Sequence, residues 1–164
     1  MARIKDGDIF ELKTSLGFVY LHRVLKDKTI GELMRVLPGF FKQRPSDFID
    51  IVQGDEQFYL FFPLSAASKR KIISHVGFYP SNSFSKPKVM RVELFKNQVF
   101  SGWHIVNTDD WSRTIIKELS DDHKKLSPWG VWNDTLLVER LVDGWTLENW
   151  EEKTIAKTLE SDEK

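Results

Sequence analysis

Residues Gln57-Phe58-Tyr59-Leu60-Phe61-Phe62-Pro63-Leu64 constrain the fold more than any other stretch of the chain. They have no polar face, so a strand here is buried on both sides. Pro63 ends it, because proline has no N–H to give to a ladder. Leu64, Ala67, Lys71, Ile72 and Val76 then follow a helical spacing, which predicts a helix from Leu64 to about Val76 with Gly77 as its C-cap. A buried strand that runs straight into an amphipathic helix gives the other elements something to pack against. Lys69, Arg70 and Lys71 fall on the helix's solvated face, and an anion-binding patch is the alternative reading of that run.

The preceding residues read as a meander. Ile9–Leu12 is a short strand, Thr14–Gly17 a turn and Phe18–Leu25 the return strand. Glu32–Leu37 is a third strand, closed by Pro38-Gly39. Three short strands in so few residues imply a small antiparallel barrel or a highly twisted sheet. Phe40–Pro45 is a loop, and Ser46 is placed to cap a short helix over Asp47–Val52.

Pro80–Pro87 reads as a joint between two halves of one domain. Lys88–Phe95 and Gln98–Val106 form a hairpin across Lys96-Asn97. Period-two spacing puts Phe100, Gly102, His104 and Val106 on one face, and Val99, Ser101, Trp103 and Ile105 on the other. Trp111–Ile116 returns as a further strand, and Leu119–His123 opens a short helix with Ser120 as its cap. Thr135–Leu141 reads as a strand, with a short helix as the alternative. Thr146 can cap a last helix through Trp150, and the charged residues 151–164 are expected to fray.

With 12 Phe, 6 Trp and 3 Tyr in 164 residues, one compact core needs no covalent staple. No cysteine is present, which excludes disulfides, a thiol nucleophile and thiolate metal sites and suits a reducing cytosol. The opening Met1–Asp6 has no apolar core, so no secretory signal is expected, and no apolar run is long enough to span a membrane. The net charge is zero but unevenly spread. Residues 1–100 carry 16 Lys and Arg against 10 Asp and Glu, whereas residues 101–164 carry 8 against 14. Either two layers of one domain neutralise each other, or a basic face lies opposite an acidic one and steers a charged partner.

Motifs for chemistry are missing. His22, His75, His104 and His123 lie far apart with no metal-ligand spacing. No serine sits in a nucleophile elbow, and there is no phosphate loop or dinucleotide fingerprint. The adjacent pairs Asp109-Asp110 and Asp121-Asp122 diverge on a strand or a helix, so neither makes an acid–base dyad. Neither an enzyme nor a metal or organic cofactor is expected. Trp103, Trp111, Trp129 and Trp132 cluster in the acidic half with Asp109, Asp110 and Asp134, a combination that suits capture of a basic protein partner. Phe40, Phe41, Lys42 and Arg44 are the platform of an alternative reading, a small barrel that binds nucleic acid. The neutral total charge speaks against that reading.

Three stretches carry a family resemblance: Gly7-Asp8-Ile9-Phe10-Glu11-Leu12 with Gly17-Phe18-Val19-Tyr20, then Phe58-Tyr59-Leu60-Phe61-Phe62-Pro63-Leu64, then Gly130-Val131-Trp132-Asn133-Asp134-Thr135. They resemble the immunity protein 26 family of bacterial polymorphic toxin systems, over most of the chain to about Arg140. The resemblance implies a cytoplasmic antidote that binds a cognate toxin domain without chemistry of its own. If that toxin is a nuclease, its basic active site would meet the acidic residues 101–164. The expected architecture is one α+β domain over residues 1–150, with a frayed tail over 151–164. It has a curved, largely antiparallel sheet with a small barrel-like N-terminal part, one main packed helix and short helices.

Overall fold

The computed structural model describes residues 3–162. The fold is α+β, with two antiparallel sheets and a few helices. The described chain divides into two compact units. The first takes the chain up to Lys86 together with Gly130–Asp143, and the second takes Pro87–Trp129 and the chain from Gly144.

The first unit is built on a five-stranded sheet. Its strands are β1 (Asp8–Thr14), β2 (Gly17–Asp27), β3 (Gly31–Val36), β4 (Phe58–Phe62) and β5 (Ile73–Phe78), in the order β4-β3-β2-β1-β5. Local chemistry sets the turns. The Thr14 hydroxyl donates to the Gly17 carbonyl and accepts the Leu16 N–H, and the Asp27 carboxylate takes the N–H groups of Thr29 and Ile30. The sheet is open, because β4 and β5 lie at its two ends and do not pair; the barrel-like part does not close.

The aromatic stretch therefore ends the sheet instead of running through its middle. It is nevertheless buried, since Phe58, Leu60, Phe61 and Phe62 are all closed off from solvent. Its outer edge is covered by a returning segment, in which Val131 bridges Phe61 and the Trp132 N–H donates to the Phe61 carbonyl at 3.1 Å. An edge that would otherwise template another chain is closed from within.

Several expected helices change. The one begun at Leu64 is only α2 (Leu64–Lys69). Lys71 takes a left-handed φ of 59°, through which no right-handed helix continues. The β-branched Ile73 and Val76 then extend along β1 as β5, and Gly77 is a strand residue. Glu32 of β3 accepts the Leu64 N–H at 3.1 Å and the Ser65 hydroxyl at 3.3 Å, so α2 is capped from a neighbouring strand. The helix expected behind Ser46 is α1 (Ile49–Gln53), and the carboxylate of Asp47 receives the Ile49 N–H. For 135–141 the helical alternative holds: α3 (Asp134–Val142) is capped by Asn133 Oδ1 on the Leu136 N–H and buries Leu137 and Leu141 one turn apart.

The second unit has three strands, β6 (Val89–Lys96), β7 (Val99–Asn107) and β8 (Arg113–Ile116), in that order. Asn97 and Gln98 both take positive φ, as a two-residue hairpin turn requires. A bulge at Ser101 shifts the register between Leu94 and Phe95, so Phe100 pairs with Phe95. Phe100 thereby moves to the face of Trp103, 5.4 Å between ring centroids, and leaves the face assigned to it by simple alternation.

Ser120 accepts the His123 N–H, but the segment forms only a 3₁₀ turn over His123–Lys125. Thr146 and Asn149 exchange side-chain hydrogen bonds with each other's N–H ahead of α4 (Trp150–Asp162), which occupies most of the stretch expected to fray. α4 packs on β7 through the buried Trp150, which meets Trp103, and its buried Thr154 donates to Glu93 of β6.

Candidate functional site

A fully buried arginine organises each unit, and neither was anticipated. Arg35 on β3 donates to the Val52 and Gly54 carbonyls at 2.9 and 2.8 Å, which terminates α1. It also donates to Glu56 at 2.9 Å and to Nδ1 of His22 at 3.2 Å, and lies 3.7 Å from the Phe84 ring centroid. Arg91 on β6 donates to the carbonyls of Leu126, Lys124 and Leu147 at 3.2, 3.1 and 2.7 Å. Its guanidinium sits 4.6 Å from the Trp103 ring centroid and 4.3 Å from that of Trp150. Burial pulls Arg91 down to about 10, still charged at neutral pH, with Glu151 and Glu93 opposing the shift.

These arrangements decide what the expected partner-binding residues do. Trp103 is wholly buried, 4.8 Å from Trp150 in an edge-to-face contact. It is core, not surface. Trp132 and Asp134 belong to the first unit, apart from the second-unit residues Trp103, Asp109, Asp110, Trp111 and Trp129. Trp132 is buried against Phe58 and beneath the Arg140 guanidinium, and Asp134 opens α3.

Four of the seven residues remain together. Trp111 lies on Trp129, 4.9 Å between centroids, and Trp129 is fixed by its N–H to the Arg91 carbonyl. Trp111 has a φ of 62°, a left-handed conformation that is costly for a bulky side chain. Asp109 and Asp110 are exposed in the β7–β8 turn. Ser112 donates both its hydroxyl and its N–H to Asp110, which holds that carboxyl below the usual range.

The alternative nucleic-acid platform is largely committed to the fold. Arg44 clamps Glu11 through two hydrogen bonds of 2.9 and 3.1 Å, and Tyr20 donates to the same carboxylate at 2.9 Å. The Arg44 hydrogen bond holds the Glu11 carboxyl below its ordinary value against the opposing effect of burial. Phe41 bridges Phe18 and packs on Tyr20. Phe40 and Lys42 are exposed, and Arg44 is exposed although bound to Glu11.

Sequence spacing also missed a contact between His75 and Asp8, 3.0 Å apart across β5 and β1. The two lie 67 residues apart, so no local motif reports them. Among the described residues no three His, Asp or Glu side chains converge as a metal site, and no helix is long and apolar enough to cross a membrane. The charge asymmetry between halves does not survive folding into units. The first unit holds 14 Lys and Arg against 12 Asp and Glu, and the second 10 against 12. No family model, curated protein or solved structure matches the chain.

Proposed function

We propose that the chain is a non-catalytic immunity protein that binds a cognate bacterial toxin domain in the cytoplasm and blocks it. The observation that carries this reading is where the three resembling stretches lie. Residues 7–20, 58–64 and 130–135 are remote in sequence, yet all belong to the first unit. The second and third are joined directly by the Phe61–Val131 bridge and by the ring contact of Phe58 with Trp132. A resemblance confined to unconnected loops would carry less weight.

The disposition of ionisable groups supports the same reading. Arg35, Arg91, Glu11 and His22 are buried, and each is hydrogen-bonded within the fold: Arg35, Arg91 and His22 to backbone carbonyls, and Glu11 to the Arg44 guanidinium and the Tyr20 hydroxyl. Groups held in this way act as structure. The nucleic-acid reading gains no comparable support, because Arg44 and Phe41 are engaged within the first unit.

The test begins with the reading frame directly upstream, where a large protein with a toxin-like C-terminal domain is expected, and proceeds by coexpressing that domain with this chain. Restored growth and a stoichiometric complex on gel filtration are expected. Unrelieved toxicity with no complex would remove the reading.

A further inference from the structure

The two faces of the second sheet are built differently. On one, Arg91, Trp103 and Phe100 lie with Trp150 of α4, and Glu93 takes the Thr154 hydroxyl. The register fixes what lies on the other. Val92 is opposite His104, His104 is opposite Ile115, and Lys96 is opposite Val99. Cross-strand partners share a face, so Val92, Leu94, Val99 and Ile115 form one aliphatic surface around His104. Val99 is 55% exposed and Ile115 58% exposed, whereas Met90 and Val106 at one end of the face are buried.

The charges on this face have one sign. Lys96 and Arg113 are the charged strand residues on it, and both are exposed. Lys88 and Lys117, immediately outside β6 and β8, are exposed cations as well. Glu93 falls on the covered face. Asp109 and Asp110 lie beyond Arg113 in the turn, and Asp110 is bent back onto Ser112. Burial, and next the field of Arg113, lower the pKa of His104, which keeps it neutral at physiological pH.

We infer that this open face of the β6-β7-β8 sheet is a docking surface for a protein that presents an apolar patch flanked by carboxylates. The sign of the charge selects that occupant. A second copy would set like charges of Lys96 and Arg113 against each other. Nucleic acid would find aliphatic side chains on which bases cannot stack. The inference rests on reading the chain as a binder, and it names the surface and the chemistry of the partner. It also reverses the expectation that residues 101–164 attract a basic one.

A photo-crosslinking residue at Ile115, with Leu16 of the first unit as the control position, tests the face in cells that make the protein. The expected result is an adduct at 115 and not at 16. Its attached segment should carry Asp or Glu around apolar residues. The purified captured protein should then bind the Lys96→Glu/Arg113→Glu variant at least 10-fold more weakly than wild type at low salt. No adduct at 115, an adduct with a second copy, nucleic acid or lipid, or unchanged affinity of the double variant would overturn the inference. A captured acidic protein without toxicity removes the immunity reading and leaves the face standing. A toxin domain captured at 16 alone does the reverse.

Discussion

The Arg35 guanidinium donates to Nδ1 of His22 across 3.2 Å, and this fixes the tautomer of the histidine. Arginine has no acceptor, so Nδ1 carries the lone pair and Nε2–H donates to the Tyr79 carbonyl at 2.8 Å. A proton on Nδ1 would break the contact and face a buried cation. Burial is the main cause that lowers the pKa of His22, and Arg35 adds to it.

The native state therefore binds fewer protons at His22 than the unfolded chain does, and stability must fall as pH drops below about 6.5. The slope is at most about 1.4 kcal/mol per pH unit for each such histidine. His104 is shifted the same way. The carboxyls of Glu11, Asp27 and Asp110 are lowered from ordinary values of 4.5, 3.8 and 3.8, so they weaken the fold only in more acid solution. Urea midpoints at pH 7 and pH 5 check this. The wild type should lose stability over that interval, and His22→Gln should lose less of its own.

Arg91 provides a second test, in the other unit. It satisfies three loop carbonyls and lies against both Trp103 and Trp150. Arg91→Met keeps much of the volume and leaves those carbonyls without their donor. The expected loss is about 3 kcal/mol or more. Denaturation followed by tryptophan fluorescence measures it, and a native-state spectrum shifted to the red would report loosening around the two indoles.

The N-terminal meander was legible because its turns carry their own chemistry: Thr14 with Gly17, and Asp27 with Thr29, need no distant partner. The boundary between α2 and β5 was not. Leu64, Ala67, Ile72 and Val76 satisfy a helical spacing, and only pairing with β1 decides for the strand. Val99 and Phe100 exchange the faces that alternation gives them, because the bulged Ser101 inverts their phase relative to the rest of β7. Arg35 and Arg91 gave no signal, since a single cation within a strand looks like a surface residue until the loops that supply its carbonyl acceptors are in place. For the same reason the tryptophan cluster read as one patch, although the chain distributes it over two units.

Gly102 holds β7 close to β8. Its φ is 136°, and an added Cβ would lie 2.5 Å from the Ile116 carbonyl oxygen. Gly102→Ala therefore combines backbone strain with displacement of an edge strand, and should cost about 3 kcal/mol. Gly31, with a φ of 112° and nothing within 4 Å, isolates the strain alone. Gly31→Ala should cost about 1 kcal/mol. Thermal unfolding of the two variants compares them directly; equal losses would mean that the close approach to Ile116 has no energetic weight.

Association kinetics separate the two surfaces a charged partner could use. If a basic partner meets the exposed Asp109 and Asp110 beside Trp111, then Asp109→Lys/Asp110→Lys slows association and Lys96→Glu/Arg113→Glu leaves it unchanged or quickens it. An acidic partner on the open sheet face gives the opposite signs. We expect the second pattern, because Lys96 and Arg113 border the exposed Val99 and Ile115, whereas the Trp103 once grouped with the two aspartates is sealed in the core. Rim charges act on encounter more than on dissociation, so the change should appear in the on-rate. It should shrink as salt rises past about 0.1 M, where the Debye length falls to about 10 Å. Stopped-flow measurement with the captured partner at two ionic strengths reads both effects, and a slowdown in the aspartate variant alone would return the binding surface to the β7–β8 turn.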